Sequence, residues 1–359
     1  MSNTRFADYD KTRDLSSKPF KALCYAPFNT LYFDNNGNVR VCCHNGTFPV
    51  GNILESSIEE IWHGDKIKKL RDAMKAYEFG PGCQFCEMQT KETFNNAAMA
   101  RFDRLKVPSD EPEWPSQLEF SISNSCNLEC VMCRGFWSSA IRARREKLPP
   151  LPRHYGDPFF ESLWKLLPSL QRMKFLGGEP FLITEYYRIW DYMIEHGLSI
   201  PCHVTTNGTQ YNSKVAKYID KIPFSFSISM DGVTKETVES VRVNAKFEEV
   251  RANAARFRDY AKQRGTSFSL TFCLMRMNWH EFGDYCKLAD EWECAVGINT
   301  VVNPPQFGIY TLPREELLKV LKGMEEQIPV MERDLSRNRH VWFGELERIK
   351  ARCLSGNPG

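Results

Sequence analysis

Cys126-Asn127-Leu128-Glu129-Cys130-Val131-Met132-Cys133 puts three thiols in eight residues, spaced C-x3-C-x2-C, just after the alternating apolar run at 118–123. Thiolates on so short a loop converge on one metal centre more readily than they pair as disulfides. A [4Fe–4S] cube normally takes four protein thiolates, so three local cysteines leave one iron free to hold something else. A zinc site with a distant fourth ligand, or three unconnected buried cysteines, is the alternative that spacing alone leaves open. A second set of thiols lies upstream. Cys24, Cys42 or Cys43, Cys83 and Cys86 supply four ligands, the last two as a C-x2-C turn, a usual half of a tetrahedral or cubic site. A structural zinc knot is the alternative there. Gly177-Gly178-Glu179-Pro180 adds a stretch in which glycines let the backbone approach a ligand closely.

Elements must carry these residues. Leu31 and Phe33 alternate into an Asn36-Gly37 turn, and Val39 and Val41 alternate out of it. That is a β-hairpin signal, and it delivers Cys42 at its end. Ser56 or Ser57 is the expected N-cap of a short helix, and a basic amphipathic segment follows at 66–74. Three prolines within 107–115 read as a linker. From residue 117 onward strand-like and helix-like stretches alternate. Strands are expected at 118–123, 172–177, 200–206, 223–230, 267–275 and 296–303, with amphipathic helices such as 184–195 and 247–263 between them. Such alternation argues for a parallel α/β sheet or barrel. Six βα units fall short of the eight of a closed barrel, and pattern alone does not separate a partial barrel from a doubly wound sheet.

The expected divisions are an N-terminal tail (1–19), a cluster module (20–96), a linker (97–116), the α/β domain (117–304) and a helical C-terminal segment (305–359). The cysteine triplet follows the first strand of the α/β domain, and Gly177-Gly178-Glu179-Pro180 the second. Thr205-Thr206-Asn207-Gly208 ends the third, and Ser229-Met230-Asp231-Gly232 the fourth. In parallel α/β folds that end of the strands is where ligands bind.

On these motifs the chain resembles the radical S-adenosylmethionine (radical SAM) superfamily. There the open iron holds the amine and carboxylate of SAM, and the GGEP element matches 177–180. The upstream stretch resembles the SPASM/twitch auxiliary cluster module, on Cys24, Gly37 ahead of Cys42, Gly51-Asn52-Ile53, Glu60-Ile61-Trp62 and Cys83-x2-Cys86. It departs from the family pattern by preceding the barrel, and its cysteines suffice for one cluster. The resemblance implies an α/β fold, a partial (βα)6 TIM-like barrel preceded by a small hairpin/helix iron-sulfur module. It implies a [4Fe–4S] cluster on Cys126, Cys130 and Cys133, and a second on Cys24, Cys42, Cys83 and Cys86, with Cys43 as the alternative to Cys42. It implies SAM held by Gly177, Gly178, Glu179 and Pro180, by Thr206, Asn207 and Ser229, and by Arg242 at the carboxylate. Met132, where the family often has an aromatic, would offer its backbone to adenine. The implied chemistry is reductive cleavage of SAM to a 5′-deoxyadenosyl radical that abstracts hydrogen from a C–H bond. An external donor such as flavodoxin or ferredoxin would supply the electron, and the auxiliary cluster would transfer one.

The substrate stays open between a peptide or protein side chain and a sugar or other small molecule, and the reaction between oxidation and epimerisation. Ser269, Thr271 and Cys273 share one strand face by period two, which makes Cys273 a candidate hydrogen donor. The alternative is a small buried core cysteine. The basic run at 142–147 reads as a solvated helix face. A net charge of +2 gives no reason to invoke nucleic acid or an anionic membrane, and no apolar run is long enough to cross a bilayer. Residues 1–10 lack the apolar core of a signal peptide. Thirteen cysteines without an export signal point to metal sites in a reducing compartment, the cytoplasm by default. The reading from another class is a non-enzymatic scaffold that binds zinc or a cluster.

Overall fold

The computed structural model describes residues 6–92 and 98–354. The start of the expected tail, the step from module to linker at 96–97 and the end of the C-terminal segment lie outside the described residues. The chain divides into two compact units. One comprises the residues up to 123 with 151–177 and 185–202; the other comprises 124–150, 178–184 and 203 onward.

In the first unit, β1 (Thr30–Phe33) and β2 (Asn38–Arg40) form the expected hairpin, and β3 (Gly51–Asn52) extends it. Gly37 takes the turn at φ +77°. Asp34 Oδ1 accepts the backbone N–H of Asn36 (2.8 Å) and of Asn38 (3.0 Å), an aspartate turn that fixes the loop. The Ser57 hydroxyl and Glu60 carboxylate form a reciprocal cap on the helix Ile58–Trp62. β4 (Gln117–Phe120) and β5 (Arg172–Phe175) pair in parallel. The hairpin is not a separate body, because β1 pairs in parallel with β4, Thr30 to Gln117 through Phe33 to Phe120. Phe33 stacks on Phe120, and Phe120 on Phe175, each at 5.4 Å between centroids. Tyr186 and Trp190 of the helix Thr184–Glu195 close over Phe175. The opposite face of β4 carries Gln117 and Glu119, with Ser121 just past its end, all buried. Glu119 accepts from Lys174 Nζ at 3.0 Å. The proline-rich stretch is tied down as well, since the buried Trp62 indole donates to Pro112 O at 2.8 Å.

The polar N-terminal segment, expected as a tail, instead carries the helix Ala7–Lys11 with Tyr9 fully buried. Arg13 explains the difference. Its guanidinium is buried but donates to both oxygens of Asp103 (2.7 and 2.8 Å) and to Ala22 O (3.0 Å), so a charged residue becomes an anchor.

In the second unit, β6 (Cys202–Thr206, from His203 on), β7 (Phe224–Ser229), β8 (Phe268–Leu274) and β9 (Ala295–Thr300) follow one another in the sheet. β7–β8 and β8–β9 are parallel. All six expected strands of the α/β region therefore form, and the α/β class holds. On β7, Phe224, Phe226 and Ile228 are buried, while Ser225, Ser227 and Ser229 are half-buried. Phe257 of the helix Phe247–Arg264 packs on Phe226 at 4.5 Å. The C-terminal segment forms the helices Arg314–Asp334 and Arg339–Leu354. Between them Asn338 is buried, accepting from Val296 N and donating to Cys294 O, each at 2.9 Å, and so fixes the start of β9.

Breaking a buried, hydrogen-bonded ion pair on one side costs about 3–5 kcal/mol. Arg13→Ala is expected to lower the stability of the first unit by about 3 kcal/mol in urea denaturation. A loss below about 1 kcal/mol would mean that the N-terminal segment is not anchored there.

Candidate active site and auxiliary metal site

The cysteine triplet lies in the second unit on a loop pinned from both sides. Ser139 Oγ accepts the N–H of Cys126 (3.0 Å) and Ser138 Oγ donates to Leu128 O (2.7 Å). Glu129 N donates to Val243 O and Val131 N to Val241 O, each at 2.9 Å. Between the cysteines, the Glu129 carboxylate accepts from Asn244 Nδ2 (2.8 Å), Arg145 Nε (2.9 Å) and Arg144 Nη1 (3.1 Å). The Asn244 hydrogen bond and the two guanidinium groups hold its carboxyl below the usual range. Two arginines of the basic run at 142–147 are therefore loop anchors as well as surface charges.

The other motifs converge on the same loop. Glu179 N donates to Ser125 O at 2.7 Å, and a Cβ on Gly178 would lie 2.2 Å from that same oxygen, so only glycine fits. The Glu179 side chain is fully buried. Its Oε1 accepts from Thr206 Oγ1 (2.7 Å) and Phe181 N (3.2 Å), and its Oε2 from Asn207 N (2.8 Å). Burial pushes this carboxyl up to about 7 against the hydrogen bonds that oppose it. The resemblance implies that this carboxylate and the main chain around it hold SAM. Here it accepts from the end of β6 and from Phe181. Asn207 Nδ2 donates to Asn127 Oδ1 (3.0 Å) and approaches Cys126 Sγ (3.9 Å). Thr206 and Pro180 are buried, and Ser229 is half-buried at the end of β7.

Arg242 also lies against the cysteine loop. It is buried and paired with Asp231 (Nη2–Oδ2 2.6 Å), and its Nη1 donates to Cys130 Sγ at 3.7 Å. Cys273 is buried in an apolar cluster with Val241, Met275 and Val301, against which Val131 and Met132 pack. Burial raises its thiol well above the ordinary range. Asp231, Asn244 and the anchoring serines were missed as partners, since nothing local in the sequence marks them.

In the first unit, Cys24, Cys42, Cys83 and Cys86 line one apolar cavity with Ala26, Met99 and Phe102. Cys43 is exposed, and its sulfur accepts from Arg101 Nη2 at 3.3 Å. Cys42 lines this cavity, and Cys43 is not among its lining residues. Gly82 (φ +80°) bends the chain into the C-x2-C turn. Asn45 closes that turn by donating to Pro81 O at 2.9 Å and to Cys83 Sγ at 3.8 Å.

Among the described residues, no three His, Cys, Asp or Glu side chains converge as around a single ion. A cube takes each thiolate on a different iron, so its sulfurs need not meet at one point. Burial pushes the thiols up, Cys126 to about 11 and Cys133 and Cys86 to about 12, so binding a cluster must displace their protons. The donor sets, three thiols at one site and four at the other, fit iron–sulfur clusters.

Residues 24–87 match SPASM, an iron-sulfur cluster-binding domain, and residues 120–289 match the radical SAM superfamily. An AdoMet-dependent heme synthase of Methanosarcina barkeri (strain Fusaro / DSM 804) is 25% identical over 179 residues, 49% of this chain and 48% of the relative. The chain thus spans about half the length of that curated relative. Among solved structures, native anSMEcpe with bound AdoMet aligns at 21% identity and TM-score 0.42 over 58% of this chain and 59% of that one. Streptococcus suis SuiB bound to precursor peptide SuiA aligns at 12% identity and TM-score 0.43, over 74% and 64% respectively. No helix among the described residues is long and apolar enough to cross a membrane.

The Glu179 carboxyl gives a pH test. Its ordinary value is 4.5 and its folded value about 7. Its contribution to stability is full below 4.5 and is lost as pH rises to 7, about 3 kcal/mol in all. Glu179→Gln is expected to flatten that slope in urea midpoints taken from pH 5 to 7. An unchanged slope would mean that the folded carboxyl is ionised throughout.

Proposed function

We propose that this chain, a member of the radical SAM superfamily with an iron-sulfur cluster-binding SPASM domain ahead of its radical SAM domain, abstracts hydrogen from a substrate C–H bond. The observation that carries the reading is the loop of Cys126, Cys130 and Cys133, with Gly178, Glu179 and Asn207 locked against it. When bound, a [4Fe–4S] cluster and SAM supply one-electron cleavage of the sulfonium and a carbon radical that takes the hydrogen. Cys126, Cys130 and Cys133 would hold the cluster, and three protein ligands would leave SAM a place on it. The main chain at Gly177 and Gly178 approaches the ligand, Glu179 fixes the Thr206-Asn207 turn, and Met132 with Val131 keeps water from the loop's apolar side. Cys24, Cys42, Cys83 and Cys86 hold the auxiliary cluster. Four protein thiolates there would leave no position open to substrate, which favours electron transfer as the chemistry such a cluster would supply. The immediate electron donor is a flavodoxin or ferredoxin, and a cytoplasmic setting suits thirteen free cysteines.

The substrate is a peptide or protein side chain, or a neutral sugar-like molecule. Strands β6 to β9 carry no Asp, Glu, Lys or Arg. Their half-buried face bears a chain of polar groups, His203 Nε2 to Ser227 Oγ (3.1 Å) and Ser227 Oγ to Ser269 Oγ (2.6 Å). Such a face suits uncharged amides and hydroxyls, and the hydroxyl chain is what favours the sugar as the second reading. Cys273 keeps its proton at neutral pH, as a hydrogen donor in an epimerisation must.

Anaerobically reconstituted protein is expected to hold about eight iron and to form 5′-deoxyadenosine from SAM with a strong reductant. The triple Cys126→Ala, Cys130→Ala, Cys133→Ala variant should keep about four iron and form none. A wild-type chain that assembles both clusters yet forms no 5′-deoxyadenosine would overturn the reading. Mass spectrometry of peptide and sugar candidates after turnover separates the two substrate classes.

A further inference from the structure

Arg242 follows the helix Lys235–Val241, and its own N–H closes that helix on Val238 O at 2.7 Å. Its guanidinium turns inward, between Asp231 at the end of β7 and Cys130 on the cysteine loop. Asp231 is fully buried in the left-handed region (φ +64°), which aspartate tolerates better than most residues. It is held from three directions. Oδ2 lies 2.6 Å from Arg242 Nη2, Oδ1 accepts the N–H of Cys273 at 2.6 Å, and its carbonyl accepts from Asn278 Nδ2 at 3.0 Å. Asn278 is itself locked, donating to Cys273 O (3.1 Å) and accepting from Met275 N (2.9 Å). The guanidinium is held by a buried counter-charge through Nη2, donates to a cysteine sulfur through Nη1, and keeps Nε without a partner among the described residues.

The potential of an iron–sulfur cluster is set by net charge, by hydrogen bonds to its sulfurs and by exposure to solvent. Partners behind the ligands orient them and tune the metal centre. A cation donating to Cys130 Sγ in a buried site favours the reduced, more negative cluster. Asp231, one residue behind, opposes that field while holding the donor in place. We propose that Arg242 and Asp231 together set the reduction potential of the cluster on Cys126, Cys130 and Cys133, Arg242 raising it and Asp231 restraining it. This rests on the cluster assignment above. Both are positioning residues, acting on the cluster through Cys130.

The test is an anaerobic redox titration of the full reconstituted chain followed by electron paramagnetic resonance, without SAM. The auxiliary couple serves as the internal reference. Arg242→Gln removes the cation and is expected to disfavour reduction of the other cluster about tenfold, about 59 mV for a one-electron couple. Asp231→Asn removes the opposing charge at nearly constant shape and should shift the same couple the other way. Arg242→Lys keeps the charge but not the fork, and should fall between wild type and Arg242→Gln. Opposite shifts with an unmoved auxiliary couple support the proposal. Shifts of the same sign, as a merely structural disturbance gives, or no shift in Arg242→Gln, overturn it. Failure of the wild-type triplet to bind iron at all would instead remove the cluster assignment, and this inference with it.

Discussion

The active site depends on one buried carboxylate. Glu179 receives donors from Thr206, Asn207 and Phe181, while its own N–H holds Ser125. Removing a carboxylate from water is costly unless its lone pairs are met by donors. Here the donors belong to separate loops, so meeting them forces the loops together. The Gly178 backbone then lies against Ser125 with no room for a side chain. The cysteine loop is thus placed by the turns around it as much as by its own sequence.

The same device recurs at other buried charges. Glu129 gathers Asn244, Arg144 and Arg145; Asp231 faces Arg242; Asp103 receives Arg13; and Glu119 receives Lys174. Buried pairs of this kind contribute little net stability compared with apolar substitutes of the same shape. Their value lies in geometry, because each fixes a particular loop or strand end in one position. At the triplet this rigidity matters most, since burial outweighs the Arg242 charge and raises all three thiols, whose protons a cluster would displace.

How far sequence reading reached follows from how local each signal is. The triplet, Gly177-Gly178-Glu179-Pro180, the Asn36-Gly37 hairpin and the six strands were all legible, because each is encoded within a few residues. The inward turn of Glu179 was not, since its partners Thr206 and Asn207 are nearly thirty residues away and only packing reveals the burial. The pairing of Arg242 was not legible either, because nothing in its neighbourhood announces Asp231 or Cys130. The N-terminal segment read as a tail because Arg13 counts as polar until its pairing with Asp103, far along the chain, is seen. Cys42 could be separated from Cys43 only by the direction in which each side chain leaves the hairpin.

The pairing of β1 with β4 has a consequence for how the cluster module and the α/β fold relate in evolution. A parallel strand left at a sheet border exposes a row of unmet N–H and C=O groups that other chains can extend. The cysteine-bearing hairpin covers β4 on that side and ends in β3, a strand of two residues. Metal ligation and protection against aggregation are thereby carried by one stretch of chain. A lineage that dispensed with the auxiliary cluster would still have to keep the hairpin, or find another cover for the border it leaves bare.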